Sequence, residues 1–276
     1  MSESHPDPVA LHVDDTGGDG RAVVLIHGWP LSGEAWHFQV PALQYVGYRV
    51  ITYDRRGFGR SGKNSTRYDY DVLADDLASI LEEHDLNDVT LVGFSMGGGE
   101  VARYIARHGE KRVRSVVFAG AVTPYMLKTE DNPEGPLSEE DAKAMEQSLR
   151  RDRDAFFDDF TTKFFSSEKG IQVEESARQQ AIDLCKQADQ TAALACMKSF
   201  GTTDFREDLT KISVPTLVLH GGEDLIVPIE GSGARTHDAI AGSELVTVPG
   251  APHGFNVSHA DDFNETLLAF LDKHGS

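Results

Sequence analysis

Val89-Thr90-Leu91-Val92-Gly93-Phe94-Ser95-Met96-Gly97-Gly98-Gly99-Glu100-Val101-Ala102-Arg103-Tyr104-Ile105-Ala106-Arg107 decides the fold. Its apolar run from Val89 to Phe94 reads as a buried β-strand, and the stretch from Gly97 to Arg107 reads as a helix. Between them stands G-x-S-x-G, the pattern of a nucleophile elbow when it joins a strand to a helix. The turn holds Ser95 in a strained backbone conformation, lifts its hydroxyl above the strand ends and aims a helix N-terminus at it. Side chains at 93 and 97 would meet neighbouring backbone, so glycine fits there.

A serine nucleophile needs a base, and the base needs an orienting acid. After such an elbow the expected order is Ser, then Asp or Glu, then His. Pro215-Thr216-Leu217-Val218-Leu219-His220-Gly221-Gly222 reads as a buried strand, with Glu223-Asp224 just past its end. Glu244-Leu245-Val246-Thr247-Val248-Pro249 reads as the last strand, followed by Gly250-Ala251-Pro252-His253. An acid and a histidine thus follow two successive strands, in the order a triad of Ser95, Asp224 and His253 requires. An oxyanion hole needs two backbone N–H donors. Met96, after the nucleophile, supplies one candidate. The other is Trp29, in His27-Gly28-Trp29-Pro30 after the strand Ala22 to Ile26. Pro30 has no N–H to offer. The Trp29 ring is also expected to wall the acyl pocket.

These segments resemble the α/β-hydrolase group of cofactor-free bacterial haloperoxidases (perhydrolases), aryl esterases and γ-lactamases. The resemblance lies in HGWPLSGEAW (His27 to Trp36), GYRVITYDRRGFGRSG (Gly47 to Gly62), VTLVGFSMGGGEVARY (Val89 to Tyr104), TDFREDL (Thr203 to Leu209), HGGEDLIVP (His220 to Pro228) and APHGFNVSHA (Ala251 to Ala260). It spans residues from about 9 to 272. It implies the triad Ser95, Asp224 and His253 and the oxyanion donors Trp29 and Met96. It also implies small acyl substrates, with water or hydrogen peroxide as acceptor, and no metal or other cofactor. One departure stands out. The group usually has an acid where Gly222 stands, so Glu223 becomes a rival to Asp224, which occupies the matching position. A ligand-binding or interaction protein that keeps this fold without catalysis is the reading from another class, and the complete catalytic set weighs against it.

Strands are expected near 9–14, 22–27, 49–54, 89–94, 114–120, 215–220 and 244–249, with a further strand before Val9 left open. Helices are expected near 33–45, 71–84, 97–107, 232–240 and 259–272. The alternation implies an α/β-hydrolase fold, a mostly parallel sheet with helices on both faces. Residues 1–123 and 206–276 form its core. Residues 124–205 break the alternation and read as a helical cap with no convincing strand. Its Phe156, Phe157, Phe160, Phe164 and Phe165 are expected chiefly to pack on the main domain. The family reading places an apolar acyl pocket beneath, with Tyr125, Phe160, Phe164, Phe200, Ile226 and Val227 as wall candidates.

The formal net charge is −19, from 45 acidic residues against 26 Lys plus Arg. A field of that sign repels nucleic acid and anionic membranes, so neither is an expected partner. Arginines, 16 against 10 lysines, fit either salt adaptation or an ordinary acidic enzyme from a GC-rich genome. No apolar run is long enough to span a bilayer. The polar start, Met1 to Pro8, does not read as a signal peptide, and none is expected. Cys185 and Cys196 form no metal cluster or disulfide framework. A cytoplasmic protein is expected, and a homo-oligomer is left open. Gly57-Phe58-Gly59-Arg60-Ser61-Gly62 matches a dinucleotide fingerprint, with Asp75 and Asp76 downstream, but polar Lys63 to Asp69 follows it instead of a helix. His12, His84, His108, His220, His237 and His274 stand isolated along the chain. Neither His253 with His259 nor His27 with His37 has the spacing of a metal-binding pair.

Overall fold

The computed structural model describes residues 9–275. The strand left open before Val9 lies outside them. The main sheet contains β1 (His12–Asp15), β2 (Ala22–Ile26), β3 (Arg49–Asp54), β4 (Val89–Phe94), β5 (Val113–Ala119), β8 (Thr216–Gly221) and β9 (Glu244–Val248). A separate short hairpin pairs β6 (Ser166–Ser167) with β7 (Gly170–Ile171). The helices are α1 (Gln39–Tyr45), α2 (Tyr70–Glu83), α3 (Met96–His108), α4 (Glu139–Arg151), α5 (Arg153–Phe164), α6 (Glu175–Gln187), α7 (Gln190–Thr202), α8 (Arg206–Leu209), α9 (Gly233–Ala239), α10 (Phe255–Ser258) and α11 (Ala260–Lys273).

The sheet order is β1-β3-β2-β4-β5-β8-β9. Only β1 runs antiparallel to its neighbour. The inner strands are buried along their length, which is why they read as unbroken apolar runs instead of alternating ones. On one face α2, α3, α8 and α9 touch in series, while α1 and α11 pack together on the other. Register sets the site. Ile26 pairs with Gly93, Phe94 with Ala119, Ala119 with Leu219, and Gly221 with Val248. The C-terminal ends of β2, β4, β5, β8 and β9 therefore lie level, and the loops leaving them share one rim, where parallel α/β sheets place their ligands.

Two local expectations change. The helix expected over 33–45 is split into a 3-10 turn, Gly33–Trp36, and α1. Pro41 lies in the first turn of α1 and lacks the N–H that a continuous helix would require there. The segment between β5 and β8 also contains strands, β6 and β7. Each has two residues, too short to produce an alternating pattern.

Candidate active site

Ser95 connects β4 to α3 with φ 53° and ψ −116°, a backbone conformation costly for a side chain other than glycine. Its surroundings hold it there. Its N–H donates to Ala119 O at 2.8 Å, and its carbonyl accepts from Gly98 N at 3.0 Å and Val122 N at 3.2 Å. The flanking glycines are dictated by close approach. A Cβ on Gly93 would stand 2.5 Å from Gly97 O, and one on Gly97 would stand 2.5 Å from Ile26 O.

Three side chains from three loops meet above this elbow. Ser95 Oγ lies 2.9 Å from His253 Nε2. His253 Nδ1 lies 2.6 Å from Asp224 Oδ2. A carboxylate only accepts, so Nδ1 carries the proton, and Nε2 is left to accept from the serine hydroxyl. All three residues are buried, with Ser95 6% exposed and His253 1%. Rings of Phe94 and Phe164 flank the imidazole, each 5.2 Å away between centroids.

Asp224 is held from several sides. Its Oδ1 accepts from Ile226 N at 2.9 Å and Val227 N at 2.7 Å. Burial alone raises its pKa, but the charge of His253 and hydrogen bonds from His220 and His253 outweigh that and hold the carboxyl well below the usual range. His220, isolated in the sequence, is wedged here. Its Nε2 donates to Val227 O at 2.8 Å and lies 3.4 Å from Asp224 Oδ2. Gly233 packs so closely that a Cβ there would stand 2.4 Å from His220 Nδ1. Glu223 is engaged elsewhere: its Oε2 accepts from Glu168 N at 2.7 Å, tying the β6–β7 turn to the acid loop.

The loop after β2 closes over the elbow. A Cβ on Gly28 would stand 3.1 Å from Ser95 Cβ. Met96 opens α3, so its amide belongs to the first turn of N–H groups that lack an intrahelical acceptor. The Trp29 indole donates to Ala193 O at 2.9 Å. Its ring is surrounded by Phe156, Phe157, Phe160 and Phe200 at 5.3 to 6.5 Å. Among the wall candidates, Phe160 and Phe200 therefore gather on Trp29, and Phe164 on His253. Tyr125 is half-buried beneath the Arg206 guanidinium, 5.4 Å away. Ile226 and Val227 serve Asp224 through their backbone amides.

A buried network beneath this loop joins residues whose mutual contact the sequence did not predict. Arg55 Nε donates to Glu100 Oε1 at 2.5 Å, and Arg55 Nη2 donates to His27 O at 2.6 Å. Tyr53 Oη donates to Glu100 Oε2 at 2.7 Å. The Arg55 amide donates to His27 Nε2 at 2.9 Å, so the His27 proton resides on Nδ1 and is donated to Gly28 O. Burial, reinforced by the Arg55 charge, pushes the His27 pKa down to about 3. Arg55 thus joins the loop carrying Trp29 to α3 carrying the elbow. An alternating pattern marks none of these residues, because each faces a buried partner from another element.

The glycine run at 57–62 is closed on its own chain. Asp54 accepts from Gly33 N and Arg60 N, both at 2.8 Å, and a Cβ on Gly59 would stand 2.4 Å from Asp54 Oδ2. Among the described residues no group of three His, Cys, Asp or Glu side chains is placed to hold a metal ion, and no helix is long and apolar enough to cross a membrane.

The profile of the α/β hydrolase fold matches residues 21–260. The chain is 42% identical to a non-heme chloroperoxidase of Kitasatospora aureofaciens, over 93% of this chain and 94% of that one. It is 36% identical to a bifunctional esterase/perhydrolase of Acinetobacter calcoaceticus, over 96% and 97%. The crystal structure of a bromoperoxidase from Bacillus anthracis superposes with a TM-score of 0.94 at 50% identity, covering 96% of each chain.

Proposed function

The chain belongs to the α/β-hydrolase family, and from that premise we propose that it is a serine hydrolase of small carboxylic esters, with amides and lactams as further substrates and hydrogen peroxide as an alternative acceptor. One observation carries the reading: the Ser95–His253–Asp224 line, with 2.9 and 2.6 Å between its polar atoms. His253 Nε2 takes the Ser95 proton as Oγ attacks the acyl carbon. Asp224 keeps the imidazole proton on Nδ1 and stabilises the imidazolium. The N–H groups of Trp29 and Met96 receive the oxyanion. As the tetrahedral intermediate collapses, His253 returns the proton to the leaving group, and an acyl-Ser95 ester remains.

Water or hydrogen peroxide then attacks this ester and gives its proton to His253. Collapse frees Ser95 and releases a carboxylic acid or a peracid. A released peracid oxidises halide in solution. The names of the Kitasatospora and Acinetobacter relatives support this second branch. The segment 124–205 serves as the cap, its aromatic residues closing on Trp29 and His253.

The test is an activity panel on wild type and Ser95→Ala. It comprises p-nitrophenyl acetate, a γ-lactam, and acetate with peroxide, bromide and a bromination reporter. Ester turnover should fall on the order of 10⁴ to 10⁶-fold in the variant. Bromination should require the carboxylate, survive exhaustive chelation and vanish with Ser95. Bromination that persists in Ser95→Ala refutes the peracid route, and retained ester turnover refutes the nucleophile.

A further inference from the structure

Fully covered parallel strands are apolar on both faces, yet His220 stands near the C-terminal end of β8 with no exposure to solvent. A buried imidazole needs bonds that offset its desolvation. The proposed acyl transfer does not use this ring as acid or base.

The ring is fixed from both sides. Nε2 lies 2.8 Å from Val227 O. A carbonyl only accepts, so Nε2 carries the proton. Nδ1 has no partner among the described residues. It is backed by Gly233 at the head of α9, where a Cβ would stand 2.4 Å from Nδ1 and 3.0 Å from Cγ. Glycine at 233 thus makes room for the ring to lie where Nε2 reaches Val227.

The carbonyl so held belongs to the turn that holds the acid. Val227 N donates to Asp224 Oδ1 at 2.7 Å, and Ile226 N at 2.9 Å. The same Nε2 lies 3.4 Å from Asp224 Oδ2, the oxygen that accepts from His253 Nδ1 at 2.6 Å. The imidazole N–H therefore bears on both carboxylate oxygens, on one through Val227 and on the other through its own dipole. Ser232 Oγ stands 3.5 Å from Val227 O and donates at 2.6 Å to Pro228 O instead. Without the Nε2 proton the buried Val227 carbonyl lacks a close donor, a penalty that favours movement of the turn.

We propose that His220 is a positioning residue for the acyl transfer: through Val227 it fixes the orientation of the Asp224 carboxylate, and through that carboxylate the His253 ring. This role rests on the proposed hydrolase reading. The path runs from β8 through the acid to the base and bypasses the Trp29 loop, so its loss falls on kcat and spares KM.

The test compares His220→Asn with His220→Gln on p-nitrophenyl acetate, with rates taken per mole of protein shown folded by circular dichroism. Both amides are polar, but glutamine carries its N–H near the place of Nε2, whereas asparagine reaches only the place of Nδ1. His220→Asn should lose about 10- to 100-fold in kcat with KM within about threefold, and His220→Gln should stay within about threefold of wild type in both. Added to Asp224→Asn, His220→Asn should cost less than about a further twofold, because residues that act as a unit are not additive. Gly233→Ala, which drives a methyl group against Nδ1 and leaves the histidine in place, should also lower kcat about tenfold, and it decides the matter if His220→Asn does not fold. Native kcat in folded His220→Asn or Gly233→Ala, a loss confined to KM, equal losses in the asparagine and glutamine variants, or an undiminished further loss on Asp224→Asn overturns the proposal. Ser95→Ala is run alongside. Ester turnover retained there refutes the hydrolase reading and this role with it, whereas turnover lost there but native in His220→Asn refutes the positioning role alone.

Discussion

Removing both members of the Arg55–Glu100 pair should cost less than the summed cost of removing each alone. The two side chains are essentially inaccessible, and stripping one leaves the other as an uncompensated buried charge, at about 3–5 kcal/mol. Unfolding entropy near 2.1 cal/mol/K per residue over 276 residues amounts to about 0.58 kcal/mol/K. Arg55→Met or Glu100→Leu should therefore lower Tm by about 5–9 °C. In the double variant no charge is stranded. The remaining penalties are the lost partners of Tyr53 Oη and His27 O, at about 1–3 kcal/mol each. The double should thus be less damaging than the sum of the singles, by about 4 kcal/mol at the centre of these ranges.

Activity separates the roles. Arg55 Nη2 is the donor that ties the His27 carbonyl, two residues before Trp29, to the helix of the elbow. Loss of that tie should displace the Trp29 loop, the proposed oxyanion donor, and a displacement of the order of 1 Å costs roughly 100-fold. Arg55→Met and the double variant should both lose about 10- to 100-fold in kcat on p-nitrophenyl acetate, with little change in KM. Thermal melts and initial rates on the four proteins provide the assay. Additive stability losses would show that the pair is not coupled. Native kcat in Arg55→Met would show that the His27 bond does not hold the loop.

Asp224→Asn should cost on the order of 10⁴-fold in kcat, as loss of the orienting acid does in other triads, whereas Glu223→Gln should stay within tenfold; the reverse ranking would transfer the acid role to Glu223. Stability should fall on acidification from about pH 6.5 toward 3, because unfolded His27 binds a proton near about 6.5 that the folded ring, with its pKa lowered to about 3, refuses. The slope attributable to this group is up to about 1.4 kcal/mol per pH unit. Asp224, lowered in the folded state, contributes stability above its unfolded value near about 3.9 and loses it only at more acidic pH. His27→Gln should flatten the pH 4–6.5 part of the Tm profile, and an unchanged slope would contradict the assignment. Burial pushes the Cys196 thiol up to about 12 and raises Cys185 likewise, so iodoacetamide at pH 8 should label neither in native protein and both after unfolding; rapid native labelling read by mass spectrometry would show that these thiols are reached.

The sequence by itself determined the architecture and the order of chemistry along it. Fully covered parallel strands must be apolar on both faces, so 22–26, 89–94 and 216–221 were legible as short unbroken runs. Gly93 and Gly97 were legible because the elbow leaves no room for a Cβ. The succession of Ser95, an acid and His253 was legible because each follows a strand end. The tertiary structure alone decided which atoms meet. Strand register brings those ends level, and it sets Asp224 on His253 while Glu223 turns to the Glu168 amide. It also wedges His220 against Asp224 and joins His27, Arg55 and Glu100 beneath the Trp29 loop. These partners lie 28 and 45 residues apart around Arg55. Local periodicity reports only whether a residue faces inward. The identity of what it faces depends on how distant segments are brought together.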